Sequence, residues 1–101
     1  MAELNRLNAQ LIKLEGGVES ELNLLQLKAA LTNEIQKSKN DDLVIDLEKL
    51  TTFNSQVLSL LLCGLRTARK SQCRVRFDNM PPGLFDMARV GGLDSVLPRS
   101  L

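Results

Sequence analysis

Ser55 is the residue with the most chemistry open to it. It sits between Asn54 and Gln56, where the polar segment Glu48–Thr52 gives way to the apolar run Val57–Leu65. With a base beside it, a serine hydroxyl is a nucleophile. At the start of a helix it accepts a hydrogen bond from a first-turn amide. On a binding face it can carry a phosphate, which adds roughly −1.5 to −2 charges. The chain contains no His, so the usual base, the Ser-His and Cys-His pairs and the commonest metal ligand are all missing. No Lys or carboxylate stands at a telling spacing either. No catalytic residue is therefore expected, and Ser55 remains open as cap, phosphorylation switch or partner contact.

The two cysteines, Cys63 and Cys73, form neither a CxxC redox motif nor a four-ligand zinc set. They read as reduced thiols of a cytoplasmic protein. Gly16-Gly17 and Gly91-Gly92 match no phosphate-cradling loop. No cofactor and no metal are expected.

The segment after Ser55 reads as a helix, Ser55–Lys70, with Asn54 or Ser55 as its N-cap. At about 100° per residue, Leu58, Leu61, Leu62 and Leu65 form one stripe, the expected core face. Leu60 and Cys63 project away from it, near Gln56, Gly64 and Thr67, and charges wait until Arg66, Arg69 and Lys70. A helix that is apolar beyond one stripe is either deeply buried or presents a contact surface, and a merely leucine-rich helix is the plain alternative, since scattered exposed apolar residues are common. The expected partner-binding face is Asn54, Gln56, Ser59, Leu60 and Cys63, with Ser55 at its edge. A phosphate on Ser55 would suit the positive end of the helix and keep the fold, while repelling a partner docked on this face.

Other elements must position that helix. Gln10–Leu14 reads as a strand, with Leu4–Leu7 as its candidate partner and Gly16-Gly17 as its end or a turn. Glu21–Lys39 is an amphipathic helix: Leu24, Leu27, Leu31 and Ile35 recur at spacings of three and four, with Leu25 and Ala30 beside them and Ser20 as N-cap. Leu43–Leu47 is a nearly continuous apolar run, expected as a central strand covered on both faces or nearly so. Glu48–Thr52 is a link. Cys73–Phe77 alternates, with Cys73, Val75 and Phe77 inward and Arg74 and Arg76 outward. Pro81-Pro82-Gly83 opens a third helix, Leu84–Arg89, packed through Leu84, Phe85, Ala88 and Met87 and ended by Gly91-Gly92. Leu93, Val96 and Leu97 make a last short element. Strand alternates with helix, so two strand–helix–strand units with parallel pairing and right-handed crossovers are predicted.

Composition narrows the partners. With 101 residues, a single domain over 1–101 is expected. Net charge is +1 and 25% of residues are charged with the signs mixed, which leaves no footprint for nucleic acid or an anionic membrane. The absence of Trp and Tyr, with only three Phe, removes base-stacking platforms. Val57–Leu65 is far below the ~20 residues of a membrane helix, and Met1–Arg6 lacks the order of a signal peptide. A cytoplasmic domain without direct membrane insertion is expected.

Three features together resemble the STAS domain family, the fold of anti-sigma factor antagonists. Leu14-Glu15-Gly16-Gly17-Val18-Glu19 is similar to the family's early strand end. Val44–Leu47 followed by Phe53-Asn54-Ser55-Gln56-Val57-Leu58 resembles the strand, link and helix start that carry the antagonists' phosphorylated hydroxyl. Leu84-Phe85-Asp86-Met87 with Gly92-Leu93 is similar to the last helix and its turn. The ending Ser95–Arg99 resembles the MlaB-like branch, small cytoplasmic subunits of Mla-type phospholipid ABC transporters. The resemblance implies an α/β fold, a mixed sheet of about four to five strands with helices mainly on one face. It implies a non-catalytic subunit that docks on the transporter's ATPase subunit, at the inner face of the inner membrane through that partner, and helps maintain outer-membrane lipid asymmetry. The alternative it implies is an anti-sigma factor antagonist switched on Ser55 by an anti-sigma factor kinase. Asn54 replaces the antagonists' motif aspartate, and Gln56 and Val57 replace their small residues, which tilts the reading toward the constitutive subunit.

Overall fold

Turn chemistry and alternation first build an antiparallel hairpin. β1 (Glu3–Asn8) and β2 (Leu11–Gly17) pair from Glu3↔Glu15 to Asn8↔Leu11. Between them the Asn8 side-chain oxygen accepts the Gln10 amide at 2.8 Å, the hydrogen bond that lets Asn stand in for a backbone turn. The structure, a computed structural model, describes residues 1–18, 20–52 and 54–93.

Helix α1 (Glu21–Lys37) starts as its sequence dictates: Ser20 Oγ accepts the Asn23 amide at 3.0 Å. It stops short of the expected Lys39. The Ser38 amide turns back to the Ile35 carbonyl, and the Ser38 hydroxyl is held at 2.7 Å by Arg6 from β1. Asn40 then takes a positive φ of 64°, a conformation a right-handed helix cannot continue through. Leu27, Leu31 and Ile35 are buried, whereas Leu25 is exposed. Asn23 joins the buried side, which apolar periodicity could not show. Its side-chain amide donates to the Ala2 carbonyl at 3.0 Å and its oxygen accepts the Ala2 amide at 3.2 Å.

Five further elements follow: β3 (Asp42–Asp46), β4 (Leu50–Thr52), α2 (Ser55–Lys70), β5 (Arg74–Asp78) and α3 (Pro82–Val90). The sheet order is β1-β2-β3-β5, with β3 parallel to both neighbours, as the two strand–helix–strand units require. Among the described residues this is the expected mixed α/β architecture, five strands with three helices. One row of the sheet, Ile12↔Ile45↔Phe77, is at most 1% exposed. The opposite face is open: Val44 is half-buried and Arg74 and Arg76 are exposed. β3 is thus central as expected, but only one of its faces is fully covered.

Two elements correct the sequence reading. The link Glu48–Thr52 contains β4, parallel to β2 through Gly16↔Leu50 and Gly17↔Thr52. Three residues with one buried member, Leu50, have no alternation to detect. The Gly16 amide donates to the Lys49 carbonyl at 2.9 Å, and Gly16 sits at φ +90°. A Cβ there would lie 2.8 Å from the Met1 carbonyl oxygen, so a bare backbone is required on both counts. The second correction is α3, which begins at Pro82 rather than Leu84, because proline is preset for a first helical turn. Leu84 and Ala88 are buried, Phe85 is half-buried and Met87 lies at the surface. Of the expected last short element, Val96 and Leu97 lie outside the described residues.

Candidate docking site

The link that follows β3 is anchored before α2 begins. Asp46 is buried, and one of its oxygens accepts the Glu48 amide at 2.9 Å and the Asn79 side-chain amide at 3.1 Å. That shared carboxylate ties the segment before α2 to the loop before α3. Asn79 has a φ of +56°, a conformation Asn tolerates better than most residues.

At the helix start the two cap candidates separate. Asn54 is the N-cap: its side-chain oxygen accepts the Gln56 amide at 2.9 Å. Ser55 is the first residue inside the helix and is exposed. Its hydroxyl makes no hydrogen bond among the described residues. The cap function falls to the neighbour, and the Ser55 side chain is open to solvent. Phe53, the first residue of the motif, lies outside the described residues.

The outward face of α2 differs from the expected one. Asn54, Gln56 and Ser59 are exposed and Cys63 is half-buried, but Leu60 is only 3% exposed. The reason is Gly64, one turn on. A Cβ at Gly64 would stand 2.9 Å from Leu31 Cδ2 and 3.5 Å from Ile35 Cδ1 of α1. The missing side chain lets α1 approach α2 closely, so that Leu60, on the same side of the helix, falls inside the seam. The opposite displacement meets Leu62 and Leu65, expected in the core stripe but half-buried. The buried side is Val57, Leu58, Leu60, Leu61, Gly64 and Ala68. Ser55, Ser59, Leu62 and Arg66 share an outward arc of about 60°. Leu62 and Arg66 were missed. The small residue at Gly64 was the signal that could have found them, since glycine in a helix interior often marks close approach by a neighbour.

Charge is also uneven. From Lys49 to Phe77 the sequence carries six basic residues and no acidic one. Arg69 and Lys70 occupy the last turn of α2, where cations suit the negative end of the helix dipole. Elsewhere a groove of about 560 Å³ opens at the starts of β3 and β5, lined in part by Gln10, Asp42, Val44, Arg74 and Arg76. Its two arginines are already neutralised, Arg74 by Asp42 at 2.6 Å and Arg76 by Asp78 at 3.6 Å.

Among the described residues no three Cys, Asp or Glu side chains converge as a metal site would require. Cys73 is buried, and burial first, then the charges of Asp41 and Asp42, push its thiol above the ordinary cysteine value. It stays protonated and unreactive near neutral pH. No helix among the described residues is long and apolar enough to cross a membrane.

Among the described residues the outward side of α2 is a mostly uncharged surface with a basic end. A family model described as "Mlab, STAS domain" matches residues 3–98. No curated protein matches the sequence. Among solved structures, the chain is similar to an anti-sigma-factor antagonist (STAS) domain protein from Planctomyces limnophilus, with TM-score 0.71, 20% identity, and coverage of 97% of this chain and 87% of that one. It is similar to the unphosphorylated anti-sigma factor antagonist SpoIIAA, with TM-score 0.74, 17% identity, and coverage of 100% and 89%. An anti-sigma factor antagonist from Mycobacterium paratuberculosis gives 0.72, 17%, and coverage of 98% and 83%. At these identities the structural matches speak to the fold. The resembling stretches Leu14–Val18 and Leu84–Leu93 fall at the end of β2 and across α3, where the Leu93 amide closes the turn onto the Ala88 carbonyl at 2.7 Å. Ser95–Arg99 lies outside the described residues.

Proposed function

The chain belongs to the MlaB-like STAS family, and from that membership we propose that it is a non-catalytic binding subunit of an ABC transporter. As a single STAS domain over residues 1–101, it docks on the cytoplasmic ATPase subunit of a system that moves phospholipid and maintains outer-membrane lipid asymmetry. It is held at the inner face of the inner membrane through that subunit. The observation that supports docking through α2 is its outward arc. Ser55 and Ser59 there are exposed and uncharged, and Leu62 is half-buried, resting on the edge of the core with the rest of its side chain at the surface. An uncharged centre beside a charged rim is how protein interfaces are built.

The test is co-purification with the cognate ATPase subunit. Leu62→Glu places a charge on the arc and is expected to abolish the complex while circular dichroism stays unchanged. Ser55→Asp is expected to weaken it. Undiminished complex with both variants rules this face out. Leu60→Glu would not test binding, because the side chain is buried and a charge there would disturb the fold.

A second reading has one observation in its favour. The Ser55 hydroxyl is exposed and unbonded, so a kinase could reach it without disturbing the cap. The chain would then be an anti-sigma factor antagonist released or captured by phosphorylation. Incubation with an anti-sigma factor kinase and ATP would raise the intact mass by one phosphoryl group. A mass that never rises removes this reading.

A further inference from the structure

Six arginines lie within the described residues, and they divide by location. Arg6 pairs with Glu34 at 3.2 Å, Arg74 with Asp42 at 2.6 Å, Arg76 with Asp78 at 3.6 Å and Arg89 with Asp86 at 3.1 Å. The remaining two, Arg66 and Arg69, are both on α2, both exposed, and have no carboxylate among the described residues. Lys70 beside them is exposed and unpaired too. The helix dipole accounts for Arg69 and Lys70 in the last turn. It does not account for Arg66, a turn earlier and on the outward arc with Ser59 and Leu62, nor for the acid-free stretch around it.

We propose that Arg66 and Arg69 form a cationic rim that recognises a cluster of carboxylates on the ATPase subunit, next to the uncharged centre at Ser59, Leu62 and Cys63. This inference rests on the docking reading above and adds the chemistry of the partner's surface. A protein fits better than the other polyanions. Membrane-binding basic segments gather roughly four to eight cations, and this patch has three. Nucleic-acid binders commonly neutralise about six to ten phosphates, and the single-strand type adds stacking aromatics. The only aromatic residues here are three Phe, none of them on α2. A neutral, partly apolar centre continuous with a charged rim matches a protein interface, where the rim charges steer association and the centre holds the complex.

The experiment follows association of the full chain with the purified ATPase subunit by stopped flow at low and high salt. For the unmutated chain the association rate should fall about tenfold as salt rises. In the double variant Arg66→Gln/Arg69→Gln it should be about tenfold lower at low salt and nearly independent of salt, with the dissociation rate little changed. Arg66→Lys/Arg69→Lys should retain most of the rate, because steering reads charge more than shape. The Lys variant should melt with the unmutated chain, and the double-Gln variant should melt no more than a few degrees lower, because it gives up the Arg69 charge at the end of the helix dipole. A double-Gln variant with unmutated rate and salt slope overturns the cationic rim while leaving the docking reading standing. An unmutated chain that does not associate, or a complex indifferent to Leu62→Glu, overturns the docking reading and this one with it. Vesicles of phosphatidylethanolamine and phosphatidylglycerol serve as the competing probe. If the chain binds them and the double-Gln variant does not, the rim belongs to lipid and the acidic-protein partner is overturned.

Discussion

Leu60 and Leu62 stand on opposite flanks of one helix and do different work. Leu60 is 3% exposed in the seam that Gly64 opens toward α1, while Leu62 is half-buried on the outward arc with Ser55, Ser59 and Arg66. Both are leucines in a leucine-rich run, and a helical wheel alone places them the other way round. The difference teaches that hydrophobicity does not decide which side of such a helix faces the core. The neighbour that can come closest decides it, and here a glycine chooses the neighbour.

That contrast can be broken by measurement, the largest effect first. Leu60→Ala should lower unfolding free energy by about 2–5 kcal/mol, because a cavity opens where α1 and α2 meet. A loss under about 1 kcal/mol in urea unfolding would show that Leu60 is not in the seam. Asn54→Ala removes the side-chain oxygen that accepts the Gln56 amide and should cost about 1 kcal/mol. Its melting temperature should fall by several degrees, whereas Ser55→Ala, which removes no cap, should leave it within error. Leu62→Glu gives up a half-buried contact with the edge of the core and should cost about 1 kcal/mol while eliminating the complex, the reverse of the Leu60 outcome. Ser55→Asp is the smallest change and has the opposite sign. A carboxylate in the first turn suits the helix dipole and should stabilise by about 0.3 kcal/mol. Destabilisation by Ser55→Asp would mean that the hydroxyl does more for the fold than its exposed position indicates.

The parts of the molecule legible in the sequence are those with strong local signals. Ser55–Lys70 is the helix at the expected bounds because an apolar run meets a capping residue on one side and basic residues on the other. Ser20 caps α1, and Cys73–Phe77 alternates as a half-covered strand must. β4 was hidden because it is held by pairing with Gly16 and Gly17, not by its own residues. Asn23 was hidden because its burial depends on the backbone of Ala2, far away in sequence. The site divides in the same way. Ser55 and its neighbours were readable as a helix start. The rotation of the arc toward Leu62 and Arg66 needed the position of α1, which no periodicity within α2 contains. The pairing of Arg74 with Asp42 likewise needed the register of β3 against β5, whereas Arg76 pairs with Asp78 two residues on in its own strand.

The sheet order also has a consequence in time. Only the hairpin of β1 and β2 is local, closed by the short turn at Ala9 and Gln10. The ladders that finish the sheet, Ile12↔Ile45 and Ile45↔Phe77, join residues more than thirty positions apart. Each must close a loop containing a whole helix before its burial is rewarded. Folding is therefore expected to be slower than that of a helical bundle of this size, with β3 arriving late as the strand both distant partners need. Ser55, Leu62 and Arg66 take no part in those closures, so their replacement should leave the folding rate nearly unchanged and put any change in stability into the unfolding rate.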